Sequence, residues 1–184
     1  MQSLQDHFLI AMPSMADPNF TQTVTYICKH DAEGAFGIVI NRASDLSLGE
    51  MLGQLAIEIG DRSLLQRPVM QGGPVEPERG FVLHRSEHAF EATLAAGAEI
   101  KVTSSPDILA AIASGAGPDP AVVALGYAGW GRGQLEIELG SNTWLTVPAN
   151  PAIIFDTPFE QRWTAALGLP GVDIRRITQY AGHA

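Results

Sequence analysis

Three stretches of this 184-residue chain carry residue types that chemistry uses. The first is His84-Arg85-Ser86-Glu87-His88, which has the His-x-x-Glu-His spacing of inverted zinc metalloproteases. That chemistry needs both histidines on one helix face to hold the metal, with the glutamate activating water. Here Phe81-Val82-Leu83-His84 reads as a strand, so the two histidines do not share a helix face. The stretch reads as polar residues at a strand end, and no metal ligand is assigned.

The second stretch runs from Gly126 to Glu136. Gly126, Gly129, Gly131 and Gly133 fall within eight residues, with Tyr127 and Trp130 among them. A dinucleotide fingerprint needs Gly-x-Gly-x-x-Gly, and Gly129-Trp130-Gly131-Arg132-Gly133 breaks that spacing. The Gly-Lys-Ser/Thr ending of a P-loop is absent. If a helix begins near Gly133, free amides at its start and the charge of Arg132 form a candidate anion site. The competing role is packing, in which glycines let the backbone pass Tyr127 and Trp130 closely. The third group is Glu136 and Glu138. They share one exposed face if extended and sit apart if helical. Paired acids can act as general acid and base, but a solvated surface is the commoner use. No Gly-x-Ser-x-Gly elbow is present.

The elements that must position these groups are short. His7 to Met12 reads as a strand ended by Pro13, and the segment from Pro13 to Phe20, with two prolines, reads as a loop. Thr21 to Lys29, rich in β-branched residues, and Phe36 to Ile40 form a hairpin about the turn at residues 31–34. Cys28 reads as a small buried hydrophobe. Ser47-Leu48-Gly49-Glu50 has capping-box spacing and opens a helix over about 48–56. Arg67 to Gln71 is a short strand entering an irregular turn, Gly72-Gly73-Pro74-Val75-Glu76-Pro77. Gly80 to His84 is a strand, and residues 87–102 suit short strands around Ala96-Gly97. Ser105-Pro106-Asp107 opens a helix with Ser105 as cap. Ala121 to Tyr127 reads as a buried strand, Leu135 to Leu139 fits either period, and Thr143 to Val147 is a strand. Asn150-Pro151 starts a helical turn. Thr157-Pro158-Phe159-Glu160 has the form of a second capping box. Strands cluster early with helices between them, which favours α+β over a doubly wound fold.

Composition sets the boundaries. Apolar residues make up 46% and charged residues 17%, ordinary for one globular domain spanning residues 1–184. No stretch has the length of a membrane span, and the first residues lack a basic region followed by an apolar core. A lone cysteine fits a reducing, cytoplasmic setting. The formal charge of −9 opposes nonspecific nucleic-acid binding, although Arg162, Arg175 and Arg176 are close in sequence.

Taken together, these segments are similar to the bacterial AlgH/YqgE family. The resemblance is carried by Pro13 to Phe20, Gly37-Ile38-Val39-Ile40-Asn41-Arg42, Gln71-Gly72-Gly73-Pro74-Val75 and the glycine-rich stretch through Glu136. It continues through Phe155-Asp156-Thr157-Pro158, Arg162-Trp163 and the closing Ala181-Gly182-His183-Ala184. It implies an α+β fold whose mostly antiparallel sheet is bent and bifurcated into a pseudo-barrel, with several short helices packed on it. It implies a helix after the glycine loop, and a cytosolic protein. The family carries a transcriptional-regulator label but no agreed reaction, cofactor or catalytic residues. No helix-turn-helix signature is visible here, so regulation, if exerted, is indirect. The leading expectation is a non-enzymatic binding or regulatory protein that meets a protein partner or a small anionic ligand. Its candidate residues are Asn41, Arg42, Gln71, Gly72, Gly73 and Glu76, with Gly129, Trp130, Gly131, Arg132, Gly133 and Glu136. The alternatives are an enzyme of unrecognised type built on the same strand-end groups, and direct DNA binding.

Overall fold

The computed structural model describes residues 2–171. Arg175, Arg176 and the closing 181–184 segment lie outside the described residues. Ten strands form a curled, mixed sheet in an α+β arrangement. The strands β1 (His7–Ala11), β2 (Val24–Asp31) and β3 (Gly34–Val39) run as an antiparallel meander. The expected hairpin is present, but β2 starts at Val24 rather than Thr21. The carbonyls of Pro18, Asn19 and Thr21 accept from the Arg42 guanidinium instead, which folds that stretch into a loop.

After β3 the chain makes β4 (Ala43–Ser47), which the sequence pattern does not announce. The helix α1 (Leu48–Gln54) follows with the expected capping box. The Ser47 hydroxyl accepts from the Glu50 N–H while the Glu50 carboxylate accepts from the Ser47 N–H. Next come β5 (Pro68–Gln71), β6 (Val75–His84), β7 (Thr93–Ala95), β8 (Lys101–Thr103) and helix α2 (Asp107–Ala113). Ser105 does not cap α2; its hydroxyl donates to Asp107 Oδ1 at 2.5 Å. The strand β9 (Ala121–Gly131) then takes in most of the glycine-rich stretch, so the segment read as a loop is largely extended. Helix α3 (Gln134–Gly140), β10 (Trp144–Pro148), α4 (Pro151–Phe155) and α5 (Arg162–Leu167) complete the described chain. Thr157 forms no capping box, because its hydroxyl donates to Ala152 O, in the single turn of α4.

The strand order is β10-β1-β2-β3-β9-β6-β8-β7, with β5 also on β9 and β4 on β5. All pairings are antiparallel except β5 with β9. β6 covers one edge of β9 from Ala121 to Tyr127. The other edge is divided: β5 takes Ala124 and Leu125, while β3 takes Ala128 to Gly131. The sheet therefore branches at Gly126.

Gly126 has φ +75, a left-handed residue that shifts the alternation of β9 by one. Before it, Val122 and Ala124 face the main core with Phe8, Tyr26, Ile38 and Leu83, while Val123 faces a second core under α1 and α2. After it, Tyr127 takes the main-core side, and Ala128 and Trp130 enter a third cluster with Leu9, Leu135 and Trp144. One strand thus serves three packing layers, each contributing burial at roughly 25 cal/mol per Å2 of apolar surface.

Candidate functional site

The branch point is held by backbone contacts that exclude side chains. The Gly72 N–H donates to Leu125 O at 2.7 Å, and the Val39 N–H donates to Gly72 O at 2.8 Å. Gly72 thus bridges the end of β3 and the middle of β9. A Cβ on Gly72 would overlap Gly126 O, and one on Gly73 would overlap the Tyr127 carbonyl group. These paired glycines are there because two backbones cross at this place.

Chain exits around the branch build a cleft of about 310 Å3, lined by Asn19, Arg42, Ser44, Gln71, Gly73 and Pro77, among others. Asn41 anchors its rim. Its Oδ1 accepts from the Val24 N–H at 2.8 Å and its Nδ2 donates to Gln22 O at 2.8 Å. Arg42 is fixed next to it. Its Nη1 donates to Pro18 O at 2.9 Å and Asn19 O at 2.8 Å, and its Nη2 donates to Thr21 O at 3.0 Å. A guanidinium has five N–H donors. The Nε–H and the second Nη2–H of Arg42 therefore keep no acceptor among the described residues, and no carboxylate there lies within 4.0 Å of the group. The side-chain amide of Gln71 also has no intramolecular partner among the described residues, while its backbone N–H donates to Arg42 O at 2.7 Å. The cleft thus presents a rigid positive charge beside a free amide. Among the described residues, its lining has no group that titrates near neutral pH.

Of the residues expected here, Arg42, Gln71 and Gly73 line the cleft, while Asn41 and Gly72 adjoin them in the chain without lining it. Glu76 is set apart: it has φ 44 and pairs with Arg79 at 3.1 Å. The remaining candidates form a second group along β9. Leu125 and Gly131 are six residues apart, about 20 Å in an extended strand. Gly129 and Gly131 face Phe36 and Gly34 across the ladder. Arg132 pairs with Glu33 at 2.6 Å in solvent, and Gly133, φ 71, starts the seven-residue α3. Glu136 and Glu138 sit apart, as a helix requires. Glu136 Oε1 is 2.9 Å from His30 Nε2. His30 Nδ1 accepts from the Leu4 N–H at 2.9 Å, so Nε2 is the ring nitrogen that donates to Glu136. The carboxylate of Glu136 is held below its usual range by its own backbone N–H and, opposing some burial, by His30.

Glu138, in sequence one of a close carboxylate pair with Glu136, has a separate, structural set of partners. Its Oε2 accepts from the indole N–H of Trp130 at 2.9 Å and of Trp144 at 2.8 Å, while Oε1 accepts from Gln134 at 3.1 Å. It pins α3 across β9 and β10. The sequence shows only its nearness to Glu136; the tryptophans reach it through the fold. His84 closes β6 with its Nε2 2.8 Å from Thr103 Oγ1 and its ring wholly buried, while His88 sits exposed in the following loop.

Residues 8–175 match the AlgH-like family, DUF179. The chain belongs to that family. AlgH-like relatives include UPF0301 proteins of Xanthomonas campestris pv. campestris strain B100 and of Xylella fastidiosa strain M23. The first is 50% identical over 181 residues, covering 98% of this chain and 96% of the relative. The second is 51% identical over 182 residues, covering 99% and 97%. The solution structure of the AlgH protein from Pseudomonas aeruginosa is similar with a TM-score of 0.81 and 50% identity, covering 100% of this chain and 97% of that one. A Corynebacterium diphtheriae protein has the same fold at 17% identity, with a TM-score of 0.71 over 93% of this chain and 89% of its own. The AlgH-like fold accounts for the bent, branched sheet and for the helix after Gly133. Among the described residues, no helix is long and apolar enough to cross a membrane.

Proposed function

We propose that this AlgH-like chain is a non-enzymatic binding protein that recognises a small anionic group in the branch-point cleft. The observation that carries this reading is Arg42: a guanidinium locked by three carbonyls, without a carboxylate partner among the described residues, in a chain of net charge −9. A guanidinium fork holds carboxylate or phosphate oxygens through paired N–H donors. Gln71 supplies a further amide donor from the other wall. The polar groups of the described lining, Asn19, Arg42, Ser44 and Gln71, are all hydrogen-bond donors, which suits holding an anion. A regulatory role would then be indirect, with the bound anion setting the state offered to a partner, because the acidic charge opposes direct operator contact. The buried lone Cys28, its thiol pushed up by burial, is in keeping with a reducing cytoplasmic setting.

Nuclear magnetic resonance titration with inorganic phosphate, and separately with succinate, tests the reading. Saturable shifts in the Arg42 Nε–H and Gln71 side-chain amide signals are expected, weakened by added salt. Arg42→Lys keeps the charge and removes the fork, so it is expected to bind about tenfold more weakly. Silence of both signals at millimolar concentrations of either anion would overturn the proposal.

A further inference from the structure

A second cavity lies on the inner side of the sheet, at the strands β3, β9, β6, β8 and β7. Its floor is three aromatic rings, one from each of the first three strands. Phe36 and Tyr127 are 5.2 Å apart between centroids, Phe36 and Phe81 5.4 Å, and Phe81 and Tyr127 5.7 Å. Tyr127 joins this floor because Gly126 shifts the phase of β9, and Gly129 leaves room beside its ring. The open space above is about 520 Å3, within the range of small-molecule sites.

The polar groups around this floor define the occupant. The Arg79 guanidinium stands 5.3 Å from the Phe81 centroid, and Glu91 lines another part of the wall. The hydroxyls of Tyr127 and Ser104 and the carboxylate of Glu91 have no hydrogen-bond partner among the described residues. Arg79 is already paired with Glu76 at 3.1 Å, so Glu91 is left as the wall's carboxylate acceptor, which opposes an anionic ligand and suits a hydrogen-bond donor. An aliphatic ligand would leave the hydroxyls and the carboxylate without use. A flat, neutral ring with both donor and acceptor edges satisfies all of them.

We propose that this cavity binds a planar, neutral heteroaromatic ring bearing an exocyclic amine, of the kind found in an aminopurine. The ring lies face-on against Tyr127 with the Phe36 ring, turned 62° from Tyr127, against its edge, its amine donates to Glu91, and Arg79 flanks it. Stacking on aromatic side chains is a strong and tolerant mode for such rings. This site is independent of the Arg42 cleft and stands or falls without it.

Adenosine is the probe, with purine riboside, which lacks the amine, as its control. Titration of the intact chain is followed by amide signals of Phe36, Phe81 and Tyr127 and by calorimetry. Adenosine is expected to bind in the millimolar range or tighter and several-fold better than purine riboside. Tyr127→Leu, which keeps an apolar side chain, is expected to weaken adenosine about tenfold. Glu91→Ala, on the exposed rim, removes the acceptor and is expected to erase the preference over purine riboside. Gln71→Leu, in the other cleft, is expected to leave adenosine binding unchanged. The proposal is overturned if adenosine produces no saturable shifts at millimolar concentration. It is equally overturned if Tyr127→Leu binds as the parent does, or if choline or benzoate saturates these signals where adenosine does not.

Discussion

Replacing Gly73 with alanine tests whether the branch point is the structural key. Gly73 has φ +152, and an added Cβ would overlap the carbonyl carbon and oxygen of Tyr127 and the nitrogen of Ala128. All three are backbone atoms of β9, so no rotamer change relieves the overlap. The backbone strain of a non-glycine residue at such a φ is about 1–3 kcal/mol. Displacing a packed strand adds about 1–3 kcal/mol more. The expected loss is about 4 kcal/mol, a large part of the roughly 5–15 kcal/mol that holds a domain folded. For a chain of this length each kcal/mol moves the melting point by roughly 2–4 °C, so a fall of about 8–16 °C follows. The control is Gly115→Ala, where φ is +79 and no atom lies within 4 Å of the added carbon. That variant isolates the conformational term, about 1 kcal/mol. Calorimetric melts of the two variants and the parent give the comparison. If Gly73→Ala melts together with Gly115→Ala, the steric account of the branch is wrong.

Other substitutions have defined directions. Gly53 lies in the last turn of α1 with open space around it, so Gly53→Ala is expected to stabilise by about 0.5–1 kcal/mol in urea unfolding. Glu138→Ala leaves two indole N–H groups without their acceptor, which is expected to cost about 2–4 kcal/mol and shift tryptophan emission. Burial, helped by nearby Lys101, pushes the His84 imidazole down to about 4. The fold therefore holds the neutral ring: its contribution is complete above the unfolded value of about 6.5 and is lost as pH falls from there through the folded value. That amounts to about 3 kcal/mol, and urea midpoints of His84→Gln are expected to lose this part of the acid sensitivity.

Local signals were legible where local partners decide. Ser47 and Glu50 satisfy each other within one turn, so their spacing was sufficient. Thr157 and Glu160 have the same spacing, yet Thr157 bonds backward to Ala152 because α4 ends against it. The strand β4 was invisible because Ser44 and Asp45 break any apolar alternation, and β5 supplies its pairing. The glycines from Gly126 to Gly133 looked like loop residues. Gly126 instead admits the close approach of the Gly73 carbonyl, which no local pattern encodes. The cleft was partly legible, since Arg42, Gln71 and Gly73 are polar or glycine residues at strand ends. Asn19 and Ser44 were not, because only the Arg42 contacts to the Pro18–Thr21 loop and the β4–β5 pairing bring them there.

The branch also determines which residues can report on binding alone. Between β3 and β5 the edge of β9 is closed by the backbone of Gly72 and Gly73, and the cleft opens beside that crossing. Changing Gly72 or Gly73 therefore alters fold and site together. Arg42 has both roles, since the three carbonyls it binds belong to the loop before β2. Gln71 separates them. Its backbone N–H bonds Arg42 O, which any residue but proline retains, and its exposed side chain has no partner among the described residues. Gln71→Leu is therefore expected to change stability by less than about 0.5 kcal/mol. It is expected to weaken phosphate about three- to tenfold, the effect of one lost hydrogen bond. Arg42→Met is expected to lose both stability and binding. If Gln71→Leu destabilises the fold as Arg42→Met does, its side chain belongs to the scaffold and the amide cannot be a ligand contact.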